Sequence, residues 1–284
     1  FRLQSPLREL FRNLTMSKLI RPLTIFLCLL LAACATSPTG RKQLMLVSED
    51  SAIASSKSAY LSTVRELDNA GKLEENWVIN KRVNVITGLL ITEAIKMRPE
   101  TANWEWSVVV IDDDKMVNAW CMAGGRMAIY TGLIKQLDPT DDELAQVMAH
   151  EISHALAKHT AEKMSMQMAT SVGVAAVGIA SDNTNVALTG AALTAMLAVN
   201  LPNSRAAEKE ADQMGIELAA KAGFNPAAAA TLWQKMAVVA KSGTPQFLST
   251  HPEPSNRQQE LAQLEPEMRK FYDPDAEHKI YPLD

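Results

Sequence analysis

Residues 140–163 read TDDELAQVMAHEISHALAKHTAEK, and the rest of the chain is organised around them. The spacing predicts one helix. Thr140 is an N-cap residue with Glu143 three positions on, the pattern of a capping box. Asp141 and Asp142 add negative charge to the first turn, where the helix dipole favours it. Leu144, Val147, Met148, Ile152, Ala155 and Leu156 recur at helical spacing and mark the buried side. His150, Glu151 and His154 make H-E-x-x-H. Histidines four apart share a face, so two imidazoles can grip one zinc ion at about 2.0–2.1 Å per nitrogen. Glu151 stands beside them, placed to take a proton from a water on the metal rather than to bind the metal.

Such a site needs a third protein ligand. The stretch Ser204 to Asp212, SRAAEKEAD, sets Glu208 and Asp212 one helical turn apart. It offers a carboxylate for the metal and an acid to accept a ligand histidine's other N–H. Glu210 and Glu217 are rivals for the third ligand. Glu208 alone has an aspartate four residues on and alanines along the same side. A metzincin would need Gly at 157 and His at 160, and the chain has Ala157 and Thr160. His159 is off by one and is expected at the surface.

Working outward to the start, Met16 opens MSKLIRPLTIFLCLLLAAC. Lys18 and Arg21 form a basic region and Leu23–Leu31 an apolar one, too short to span a bilayer of about 30 Å comfortably. Leu31-Ala32-Ala33-Cys34 resembles the lipobox of bacterial lipoproteins. Residues 1–33 are therefore read as a signal peptide, with 1–15 as an over-long gene start. Cys34 is the expected lipidation site, residues 34–47 a lipidated polar tether, and 48–284 a single zinc metallopeptidase domain. By the same resemblance, Ala35 after the cysteine favours the outer membrane. Of 28 basic and 32 acidic residues, 5 and 1 fall in residues 1–33, which leaves 23 and 31 and a net charge of −8. That balance argues against nucleic acid, and it leaves the lipid alone to hold a membrane. Cys121 is then the one remaining thiol, so no internal disulfide is expected.

Helical patterns run from Ser48 to Ala70 and from Glu75 to Met97. Trp104–Ile111 reads as a strand ending in Asp112-Asp113-Asp114, a solvated turn rather than a calcium loop. Asn118–Gly132 reads as a hairpin turning at Gly124-Gly125, with Arg126–Thr131 its second strand. A sheet edge placed before a catalytic helix can take a peptide as an added strand. Met164–Val199 is rich in small and apolar residues, and neither half reaches the roughly twenty that a span requires. It reads as a helical hairpin over the core or as a cover on the site. Asn225 caps a helix to about Lys241. A loop with His251, Pro252 and Pro254 precedes a helix from Ser255 to about Lys270.

GRKQLMLVSE, NAW…GGRMAIYTGL, HEISH, SRAAEKEAD and HPEPSNR, in that order, resemble the HtpX and CAAX-prenyl-endopeptidase family of HExxH zinc metallopeptidases, the gluzincins. The likeness is greatest to its periplasmic lipoprotein members and covers most of Leu44 to Arg257. It departs in having Ala123 where the family often has Pro, and in lacking the transmembrane helices of HtpX itself. The resemblance implies zinc on His150, His154 and Glu208, and Glu151 as general base. It implies an edge strand after Asn118 and Ala119, with Gly125 in its turn, holding substrate backbone. It also brings His251 and Arg257 to the open side of the metal. Asp212, Arg205 and Arg257 are the residues expected behind the ligands. Two roles stand for His251: donor to the oxyanion, the favoured one, or a plug in the open zinc position.

The expected fold is α+β and mainly helical, a zincin-like core with a small edge hairpin packed on the HExxH helix. The expected function is a zinc-dependent endopeptidase with one Zn2+ per chain. It would degrade unfolded or misassembled envelope polypeptides on the periplasmic side of the outer membrane. The alternative is a non-catalytic zinc-containing lipoprotein assembly factor or chaperone.

Overall fold

The structure is a computed structural model, and it describes residues 34–180, 204–242, 245–251 and 256–283. The signal peptide, residues 181–203 of the expected helical hairpin, and Pro252 and Pro254 lie outside the described residues.

The chain opens with β1 (Cys34–Thr36) and β2 (Lys42–Leu44), an antiparallel pair. The segment expected as a tether is thus folded. Helix α1 (Glu49–Asn69) is capped by Ser48, and α2 (Trp77–Met97) by Asn76, whose side chain accepts from the backbone N–H of Val78 and Ile79. Strands β3 (Ser107–Ile111), β4 (Ala119–Met122) and β5 (Arg126–Tyr130) follow. β3 is parallel and β4 antiparallel to β5, so the order is β3-β5-β4 and β4 is an edge. Trp104 and Trp106 precede β3, because the turn at Pro99–Asn103 takes up the chain after α2.

After α3 (Thr131–Leu137) comes α4 (Asp141–Leu156), the H-E-x-x-H helix. Its capping box is formed: Thr140 Oγ1 accepts from the Glu143 N–H, and Glu143 accepts from the Thr140 N–H. Every residue from Glu143 to Leu156 is buried. Leu144, Met148, Ile152 and Leu156 join Leu90, Ile91, Met127, Ile129 and Leu133 in one core. Each such side chain contributes about 1.5–3 kcal/mol relative to exposure, so the helix is held on all sides. The mostly helical α+β architecture agrees with the sequence.

The expected single helix to Lys163 does not continue. It ends at Leu156, Lys158 turns through a left-handed φ of 60°, and α5 (His159–Ala180) starts anew. Two carbonyls freed by the break are bonded: Arg98 donates to Leu156 and Gln43 to Ala157. Helices α6 (Arg205–Lys221), α7 (Ala228–Val239), α8 (Gln246–Thr250) and α9 (Arg257–Met268) complete the fold. α6 packs along α4 more closely than any other helix, which Gly215 permits. A Cβ there would stand 3.1 Å from the backbone of His150. Among the described residues no helix is long and apolar enough to cross a membrane.

Candidate metal centre

Four side chains from three elements converge between α4 and α6. His150 and His154 come from α4, Glu208 from the first turn of α6, and His251 from the end of α8. All four are buried, and each presents an atom within 4.8 Å of the others. The Nε2 atoms of His150 and His154 are 3.1 Å apart. Glu208 Oε2 is 3.3 Å from His150 Nε2, and its Oε1 is 3.3 Å from His154 Nε2. His251 Nδ1 is 3.3 Å from His150 Nε2 and 3.1 Å from Glu208 Oε1.

These separations test the fit to a metal. Donors held tetrahedrally at about 2.0–2.1 Å from one centre lie about 3.3 Å from each other. The separations given above lie near that spacing, and three imidazole nitrogens with a carboxylate are a donor set that zinc takes. The residues present therefore fit one metal ion.

Charge within the metal-free site follows from burial and partners. Burial opposes ionisation of Glu208, and the contacts with His150, His154 and His251 outweigh it and hold the carboxyl far below its usual range. Burial lowers the His154 pKa well below its usual value despite Glu208, which keeps a lone pair free for a metal. Burial also lowers His150, but hydrogen bonds with Asp212 and Glu208 win and raise it to about 9. Burial raises Glu151, against the lowering charges of His251 and His150. Its Oε1 is buried without a hydrogen bond, 3.4 Å from His251 Nε2. A carboxylate whose pKa is raised beside a metal site is a better proton acceptor than an ordinary one.

Behind the ligands, Asp212 Oδ1 is 3.1 Å from His150 Nδ1 and is also bonded by Arg257. Arg257 reaches Glu208 and stacks over Trp233 at 4.0 Å. Arg205 does not join them: it is exposed at the start of α6. Of the rival ligands, Glu217 pairs with Lys221 along the helix. Glu210 faces another way and binds His159, Thr39 and Arg41.

His159 corrects the sequence expectation. It is buried, not at the surface, and its Nδ1 is 2.8 Å from His154 Nδ1. The turn at Lys158 swings it back against α4, which a continuous helix would not do. Neither glycine nor proline marks that turn, so only its neighbour His154 hinted at a role. Phe247 was also missed; its ring stacks on His251 with centroids 4.5 Å apart.

The edge strand divides the three expected substrate-binding residues. The Asn118 carbonyl accepts from the Tyr130 N–H, so the backbone of Asn118 faces β5. Antiparallel alternation then turns the backbone groups of Ala119 and Cys121 to the free edge. Gly125 is committed elsewhere. Its N–H donates to Met122, its carbonyl accepts from Ser107, and the Trp106 ring covers its Cα. It shapes the turn and offers nothing to a ligand.

The profile of the family described as Peptidase family M48 matches residues 80–265. The chain is similar to the Mitochondrial metalloendopeptidase OMA1 of Arabidopsis thaliana, 33% identical over 160 residues, 56% of this chain and 31% of the relative. It is 29% identical to the human Metalloendopeptidase OMA1, mitochondrial, over 245 residues, 82% of this chain and 46% of the relative. It is 27% identical to the Beta-barrel assembly-enhancing protease of Escherichia coli K12 over 203 residues, 68% of this chain and 40% of the relative. The chain spans 31% of the Arabidopsis thaliana relative and 52% of its Schizosaccharomyces pombe counterpart, less than two thirds of either.

Proposed function

The chain belongs to peptidase family M48, and on that premise we propose that it is a zinc-dependent endopeptidase acting on unfolded or misassembled polypeptides of the cell envelope. The observation that carries this reading is Glu151: a buried carboxylate with an oxygen that has no hydrogen bond, next to four buried metal donors. Bound zinc would supply Lewis-acid activation of water and of the scissile carbonyl. Glu151 accepts the proton of the attacking water and passes it to the leaving amine. His150, His154 and Glu208 hold the metal, and Asp212 and Arg257 fix the His150 ring and the Glu208 carboxylate. The outward backbone of Ala119 and Cys121 pairs with an extended substrate. An enzyme that selects main chain in this way takes unfolded segments in preference to folded ones. The likeness to the Beta-barrel assembly-enhancing protease of Escherichia coli supports envelope proteins as the substrate class.

His251 completes the fourth position in this reading. A metal with four protein donors is closed, so His251 must leave for substrate to enter. The same four donors favour a second reading, the non-catalytic zinc-containing assembly factor, since a structural site is closed permanently. Glu151 speaks against it, because a structural site has no use for a buried carboxylate that is not one of the donors. We further propose that acylated Cys34 anchors the chain at the periplasmic side of the outer membrane. Cys34→Ala should then release it from the membrane fraction, and mature Cys34→Ala still fractionating with outer membrane would refute the anchor.

Metal content and casein cleavage of the purified chain, with and without chelator, test the enzyme reading. Cleavage lost to chelator and restored by zinc is expected. Stoichiometric zinc without any cleavage would leave the assembly-factor reading.

A further inference from the structure

His150 and His154 are held differently at the nitrogen that faces away from the metal position. His150 Nδ1 meets the carboxylate of Asp212 directly. His154 Nδ1 meets another histidine. His159 Nδ1 lies 2.8 Å away, and His159 Nε2 lies 3.1 Å from Glu210 Oε2. Glu210 also accepts from Thr39 Oγ1 at 2.5 Å and from Arg41 Nε at 2.6 Å. Arg41 spends its other two nitrogens on Glu162 of α5, at 2.7 and 2.6 Å. Gln43 donates to the same Glu162 and to the carbonyl of Ala157, at the break that lets His159 turn inward.

We propose that Arg41, Glu210 and His159 form a positioning relay that fixes His154 as a metal ligand, making the N-terminal hairpin part of the metal centre. The proton order follows from the donors available. Glu210 is a carboxylate and can only accept, so His159 carries its proton on Nε2. That leaves a lone pair on His159 Nδ1, which accepts the Nδ1–H of His154. His154 then presents a bare Nε2 toward His150 and Glu208. Ring orientation and tautomer are both set, as an outer partner of a ligand histidine does. Arg41 holds Glu210 to α5 through a forked contact that a lysine could not reproduce. The chain immediately after Cys34 therefore reaches the metal position through three side chains.

This inference rests on the proposed metal site, and its test reads metal affinity rather than activity. Zinc affinity of the purified full chain is measured by competition with a chromophoric chelator. The variants are His159→Leu, His159→Gln, Arg41→Ala and, as a control, Arg126→Ala. Leu fills the space of the ring without polar atoms. Gln offers a carbonyl to His154 and an N–H to Glu210. Arg126 forms a comparable ion pair, with Glu105, that touches neither His154 nor the break at Lys158.

His159→Leu should bind zinc about 10–100-fold more weakly. His159→Gln should recover most of that loss, and Arg41→Ala, partly exposed and expected to fold, should lose about tenfold. Arg126→Ala should lower the melting temperature without weakening zinc. The relay is overturned if His159→Leu binds as tightly as wild type. It is also overturned if Gln and Leu lose equally, or if Arg126→Ala loses as much as Arg41→Ala. A wild-type chain that takes up no zinc overturns the metal reading itself, and the relay with it.

Discussion

The backbone N–H of Phe247 donates to the carbonyl of Val117 at 3.0 Å. Val117 stands two residues before Ala119, so its carbonyl faces the free edge of β4 rather than β5. The short helix that carries His251 is therefore fastened to the start of the edge where a substrate strand would add. Phe247 stacks on the His251 ring and fixes the direction in which it points. The fourth metal donor and the proposed substrate edge share one attachment.

That arrangement gives His251→Ala a sign. If His251 occupies the fourth position in the resting protein, the competent form is a minority. With about a tenth of molecules open, removing the imidazole should raise casein cleavage about tenfold. An oxyanion donor would act oppositely, and its loss would lower turnover by about 10²–10³. The position of Nδ1 within the donor set favours the increase, against the role favoured from sequence. Initial rates at matched zinc content decide between them.

The two glutamates of the site should separate cleanly. Glu151→Gln keeps the shape and the metal ligands and removes a base, so zinc content should hold while cleavage falls by about 10²–10⁴. Glu208→Ala removes a ligand and takes one of two carboxylate partners from His150 and Arg257, so zinc should be lost and stability with it. Metal analysis of both variants beside their rates is the check. Equal zinc loss in the two would break the assignment of roles.

Much of this site was legible because helical periodicity translates spacing into direction. His150, Glu151 and His154 share a helix, and Glu208 and Asp212 share another, so one-dimensional spacing carried their geometry. Thr140 was legible as a cap for the same local reason, whereas the caps at Ser48 and Asn76 came from the structure. His159 was not, because its position depends on a break at Lys158 that no local residue announces. Arg41 and Glu210 were not, because their contact joins the first strand pair to α6 across the fold. Arg205 was misjudged as a neighbour of the ligands, since the first turn of α6 points it to solvent. Gly125 was legible as a turn glycine, and only the packing of Trp106 showed that the turn has no room for more.

Acid should weaken the catalytic helix at its capping box. Glu143 accepts from Lys235 and Thr231 as well as from the Thr140 N–H. Burial opposes its ionisation, and these partners outweigh burial and lower its pKa from 4.5. A carboxyl depressed in the folded state contributes stability above its unfolded value, and loses it as pH falls through the folded one. Glu143→Gln should therefore cost about 1–2 kcal/mol at pH 7. The gap to wild type should close on acidification below the usual carboxylate range. Urea unfolding of the metal-free proteins at pH 7 and in acid measures both values. A gap that persists unchanged in acid would mean that the charge of Glu143 is not what stabilises the helix.

The paired glycines of the hairpin should respond unequally to alanine. Both need positive φ, 88° at Gly124 and 80° at Gly125, which costs a residue with a Cβ about 1–2 kcal/mol. Their surroundings differ. At Gly124 an added Cβ meets a methyl of Ile53 at 2.9 Å, the end of a side chain that can shift. At Gly125 it meets the Trp106 ring at 2.4 Å. That ring is pinned, because its Nε1–H donates to the Thr101 carbonyl at 2.9 Å and it packs, tilted, against the Trp104 ring. Overpacking a fixed ring adds about 1–3 kcal/mol. Gly125→Ala should therefore destabilise the chain by roughly 2–5 kcal/mol, and Gly124→Ala by clearly less. Since Gly125 commits both backbone groups within the protein, the fraction of Gly125→Ala that stays folded should bind casein with unchanged KM. A raised KM in a variant of wild-type stability would instead return Gly125 to the substrate edge.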